Sequence, residues 1–195
     1  MRKVVVIFAI LANVCLMQAQ ENRLFYYNDD GGRIYLDKVE NTKMIHFKKS
    51  IESSQKESIF RQSRASAPTI TQIAPDIYRV SDDDKIGKNS IVATAKASGT
   101  VLYTSDVFMH ADSTIQWLSD EIIVKVYSTS DLQDVLHENE IPFIDYRQLG
   151  SNEQTYAIVL DVTEGSAIEY ANRLSESRGT EWAQPIFVVL DKNNV

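Results

Sequence analysis

Three histidines, one cysteine and two runs of aspartate are the residues of this chain best suited to chemistry, and their spacing argues against it. His46 falls in an alternating run, His110 in a loop and His137 on the outer side of a helical pattern, none with a metal-type partner four positions away. All three read as surface residues. Asp29-Asp30 and Asp82-Asp83-Asp84 lack the spaced oxygen ligands and closing Glu of a calcium loop, so they read as solvated turns. Ser98-Gly99-Thr100 reads as a helix stop rather than a nucleophile elbow, and no Asp, His and Ser lie in the glycine-rich settings of a hydrolytic triad. The expectation is a protein that is not an enzyme, with no cofactor and no metal.

Residues spaced for binding are easier to find. Ile122, Val124 and Val126 alternate with Ile123, Lys125 and Tyr127, the period of a strand with one buried face. If the first set faces helices, the second stands on the far side of a single sheet layer, where large apolar groups point to a partner. That face has two candidate occupants: another protein, or an earlier stretch of the same chain whose corresponding positions are Met44, His46 and Lys48.

Composition bounds the partner. The first nineteen positions have a basic start at Arg2 and Lys3, an apolar run from Val4 to Leu16 and a small residue at Ala19, the pattern of a cleaved signal peptide. The run is too short to span a bilayer, which takes about 20 residues. Cys15 lies inside this leader, so the mature chain from Gln20 to Val195 has no thiol for a disulfide, a metal or catalysis. The whole chain has a formal charge of −7, and loss of Arg2 and Lys3 makes it more negative still, which disfavours nucleic acid and anionic membrane. Export to the periplasm or the exterior is expected, with no membrane insertion after cleavage.

The elements that would position these residues come in two series. Leu24–Tyr27 and Arg33–Leu36 flank an Asp-Gly turn and form a hairpin. Lys43–Lys48 reads as a strand, Ser54 with Glu57 caps a helix carrying Ile59 and Phe60, and Ile70–Val80 is extended with a break at Pro75. Ser81–Asn89 reads as a charged loop, Ser90–Ala97 as a short helix stopped by Gly99, and Val101–Met109 as a strand. The second series is sharper: a strand around Ile122–Val126, a helix capped by Ser130 with Gln133, strands Ile141–Tyr146 and Tyr156–Val162 joined through Gly150, a helix capped by Ser166 with Glu169 and stopped by Gly179, and a strand Trp182–Leu190.

Each series reads βαββαβ, the ferredoxin-like arrangement. One constant shift along the chain carries Ile45 onto Val124, Phe47 onto Val126, Tyr103 onto Trp182 and Phe108 onto Phe187. The expected fold is α+β: tandem ferredoxin-like units with antiparallel sheets, the second better defined. The expected division is a leader at 1–19, a hairpin plus divergent unit at 20–112, and a second unit with a short tail at 113–195.

Leu118-Ser119-Asp120-Glu121-Ile122-Ile123-Val124-Lys125-Val126 and Glu181-Trp182-Ala183-Gln184-Pro185-Ile186-Phe187, with a βαββαβ body between them, resemble the N-terminal prodomain of secreted subtilisin-like serine proteases, and most closely the long prodomains of Bacteroidetes. The resemblance runs from the first of these segments to the second and implies a chain that templates or inhibits such a protease. It implies that the open sheet face packs on two helices of the enzyme, that the position of Gln184 caps a helix N-terminus, and that the tail, Asn193, Asn194 and Val195, lies in the substrate cleft. Gln184 departs from the acidic residue of that pattern, so only its amide oxygen remains as acceptor. The expected partner is therefore a secreted subtilase. The alternatives are an interaction or structural protein of the cell envelope and a detached prodomain remnant.

Overall fold

A computed structural model of the chain describes residues 24–62, 68–81, 85–109, 113–128, 130–150, 154–162 and 166–190. The leader with Cys15, the Asp82–Asp84 run, His110 and the tail residues Asn193, Asn194 and Val195 lie outside the described residues.

Alternation and turn chemistry build the first series. The hairpin β1 (Phe25–Tyr27) and β2 (Arg33–Tyr35) turns through Gly31 at a φ of 76°, with the Asn28 side chain accepting from the Gly32 N–H at 2.6 Å. Then come β3 (Asp37–Phe47), α1 (Ser53–Gln62), β4 (Thr69–Ala74), β5 (Ile77–Ser81), α2 (Lys85–Ala97) and β6 (Val101–Met109). The second series is β7 (Ile115–Val126), α3 (Leu132–Glu138), β8 (Phe143–Gln148), β9 (Thr155–Leu160), α4 (Ala167–Ser175) and β10 (Thr180–Val189).

Both series have the ferredoxin-like order. Each places its last strand beside its first and its third beyond that, giving β6-β3-β5-β4 and β10-β7-β9-β8, all antiparallel. The shift that carries Ile45 onto Val124 also lays β3 on β7, β5 on β9 and β6 on β10, while β4 and β8 are offset by their different turns. The sequence locates the turn at Pro75, the helix stop at Gly99 and the strand connection at Gly150 correctly, the two glycines adopting φ of 68° and 79°.

Several local expectations are corrected. The helix α2 begins at Lys85, so the charged stretch read as loop is helical at its end, where packing of Ile91 and Ala95 into the core outweighs weak local signals. The cap of α3 is Asp131, not Ser130: its carboxylate accepts from the N–H groups of Gln133 and Asp134. Ser54 lies inside the first turn of α1, where the N–H groups of Gln55 and Lys56 donate to the Glu52 carbonyl. Ser166 does cap α4, accepting from the Glu169 N–H at 3.3 Å. Gly179 follows the helix end at Ser175 by a short connection; its role is to let the chain pass against Val135, whose side chain a Cβ at this position would overlap.

The two units join edge to edge rather than face to face. Val107, Phe108 and Met109 of β6 pair with Trp117, Gln116 and Ile115 of β7, after which β7 parts from β6 and pairs with β9. One continuous sheet results, with the helices of both units on one side. Ile45, Phe47, Ile59, Val80, Ile91 and Ala95 form the first unit's core there. The larger second core packs Ile122, Val124 and Val126 against Leu136, Ile168 and Leu174. The hairpin belongs to this second core in space: Leu36 is buried in it, Tyr26 packs on Phe187 at 5.4 Å, and Asn172 donates to the Phe25 carbonyl at 2.8 Å.

Candidate partner-binding face

Because helices cover only one side of the sheet, the other side of the second unit is left to the side chains of its strands. Strand period puts Glu121, Ile123 and Lys125 of β7 there, opposite the buried Ile122, Val124 and Val126. The registers extend the face sideways. Ile123 lies between Ala157 of β9 and Gln184 of β10, Ala157 in turn faces Arg147 of β8, and Lys125 lies between Thr155 and Trp182. Ile123, Trp182 and Gln184 are half-buried; Tyr127, just past the end of β7, is 47% exposed. The Gln184 side chain makes no hydrogen bond among the described residues.

Charge frames this centre. Arg147 pairs with Glu121 at 3.0 Å and Lys125 with Glu181 at 3.2 Å, so both of these cations are already matched. Exposed pairs of this kind add little stability, about 0–1 kcal/mol. An apolar centre with a paired polar rim is instead the anatomy of a protein interface. The sequence pattern identified Ile123, Lys125 and Tyr127. It missed Trp182, Glu121 and Arg147, which reach the face through register, and the alternation of β10 against β7 is the signal that points to Trp182.

The corresponding face of the first unit is closed, and this corrects the reading of His46 as a surface residue. Met44 and His46 are buried, whereas Lys48 is exposed. Met44 joins Val107 and Trp117 in a third cluster, flanked by Ile73 and Ile77 of the first unit and by Ile115, Val188 and Leu190 of the second. The His46 ring stacks on Tyr103 at 4.0 Å and lies 6.5 Å from Trp117. Burial pushes its pKa down to about 4. Of the other histidines, His137 is exposed beside Phe143, in agreement with the sequence pattern.

Where β6 and β7 part, a cavity of about 180 Å³ opens between Lys43, Phe108, Leu118 and Ser166. Typical small-molecule pockets hold about 300–1,000 Å³. Among the described residues, no three His, Cys, Asp or Glu side chains gather to hold a metal ion, and no helix is long and apolar enough to cross a membrane.

No family model and no curated protein matches the chain. Among solved structures, the small subunit of acetolactate synthase from Thermotoga maritima is similar at 13% identity and a TM-score of 0.26, over 79% of this chain and 97% of that one. The likeness is too slight to bear on function.

Proposed function

We propose that this chain is an exported, non-catalytic protein that binds a secreted subtilisin-like serine protease through the uncovered sheet face of its second unit, inhibiting the enzyme or assisting its folding. The observation that carries the reading is the state of that face. Ile123, Trp182 and Gln184 stand only half-buried on a single sheet layer, with Tyr127 exposed at its end. The resemblance of the flanking strands to subtilase prodomains supplies the class of partner.

The test is to mix the protein spanning Gln20 to Val195 with subtilases of the same organism and to follow peptidase activity and refolding yield. A dose-dependent fall in activity or rise in yield supports the proposal. No change in either quantity, and no complex at micromolar concentration, would count against it.

A second reading, an envelope interaction or structural protein, draws on the sealed face of the first unit. There the positions equivalent to Ile123 and Lys125, namely Met44 and His46, have been turned to internal packing. Recovery of a complex with an envelope component, and none with any subtilase, would favour that reading.

A further inference from the structure

The joint between the two units concentrates buried polar groups that the apolar packing around them does not satisfy. His46 Nε2, Ser105 Oγ and Trp117 Nε1 are all buried without a hydrogen-bond partner among the described residues. Registers place them together: His46 lies opposite Tyr103, Met44 opposite Ser105 and Val107 opposite Trp117, all on the side away from the helices. A buried polar atom left unpaired costs roughly 1–3 kcal/mol. Among the described residues, the ladder between β6 and β7 consists of Val107, Phe108 and Met109 with their partners. This joint therefore combines a short ladder with unpaired buried polar atoms, and an ionisable ring sits within it.

We propose that the joint is an acid-operated latch: protonation of His46 loosens the contact of Trp117, Val188 and Leu190 with the first unit while the second unit's core stays folded. The Nε2 of His46 has no hydrogen-bond partner among the described residues to hold a proton there. The groups sharing its face are Lys48 just past the end of its own strand, Arg79 on β5, the neutral Tyr103 on β6, and Glu121 on β7, which pairs with Arg147. Asp120, next to Glu121 on β7, acts with it on Tyr103.

The sign follows from the direction of the shift. His46 is held below its ordinary value of 6.5, at about 4. The opened joint therefore binds the proton more readily than the closed one, and closure is complete above pH 6.5 and eroded as pH falls toward 4. With these values the opening equilibrium rises roughly thirty-fold between pH 7.5 and pH 5. The latch does not depend on the identity of any partner.

Hydrogen exchange of the unbound protein tests it. Protection of the Phe108 and Gln116 amides, which face each other across the joint, should fall by about that factor at pH 5, while the β9 amides around Ile158 keep theirs. A His46→Phe variant, aromatic but unable to charge, should keep the joint protected at both pH values. An equal loss of protection across both units, or an unchanged loss in the variant, overturns the latch. If the variant does not fold, the His46 ring of the unaltered chain decides by NMR titration: a midpoint well below 6.5 supports the latch, and a midpoint at 6.5 overturns it.

Discussion

At the scale of single residues, two positions carry more than their type suggests. Asp131 satisfies two N–H groups at the start of α3, so Asp131→Ala should cost about 1 kcal/mol in chemical denaturation, and Ser130→Ala, which removes no cap, should change stability by less than about 0.5 kcal/mol. A larger loss at Ser130 than at Asp131 would reverse the assignment of the cap. Gly179→Ala would drive a methyl group into Val135 and should cost about 1–3 kcal/mol; combining it with Val135→Ala should return part of that, because the two substitutions share one space. Both positions were misread from sequence for reasons that belong to this scale. Ser130-x-x-Gln133 and Asp131-x-x-Asp134 are one position apart, and spacing cannot choose between two competent caps. A glycine after a helix likewise looks the same whether it is needed for its φ or for its missing Cβ.

At the scale of elements, alternation was a reliable guide wherever one face of a strand meets helices. Ile122, Val124 and Val126 were legible as core, and all are buried. It failed at β3. There Met44 and His46 look like an outward face, and only the joint with β7, formed much further along the chain, buries them. Contacts so distant leave no mark on local pattern. Close to that joint Lys38 and Lys43 meet Asp106 at 2.9 and 2.7 Å. Burial alone would raise the Asp106 carboxyl; the two lysines outweigh it and hold it below its ordinary 3.8. Its contribution is therefore present above pH 3.8 and lost as the pH falls through the lowered value. Asp106→Asn should remove that part of the acid sensitivity, measured as the slope of unfolding free energy against pH below 3.8. The hairpin is a second long-range feature. Tyr26→Ala should destabilise the second unit by about 2–4 kcal/mol, although sequence order places it before the first. Thermal unfolding followed at Trp182 is the measurement, and a shift confined to the first unit would contradict the packing.

At the scale of the whole molecule, the tandem was legible because each unit repeats the same inner positions at one constant separation, Ile45 and Phe47 answering to Val124 and Val126. How the units meet was not. Face-to-face packing and a free second face were both compatible with the sequence; the edge joint at β6 and β7 closes the first unit's face and leaves the second's half open. The proposed function depends on that asymmetry. Its most direct test is a binding titration against a secreted subtilase at micromolar concentration. The unaltered protein is compared with a variant carrying Ile123→Asp and Tyr127→Asp, and with an Ile34→Asp control on the exposed hairpin, each checked for an unchanged melting temperature. Binding by the unaltered protein and the control, with affinity lost about a hundred-fold or more in the double variant, is the expected result. Equal binding by all three proteins, or by none, would contradict it.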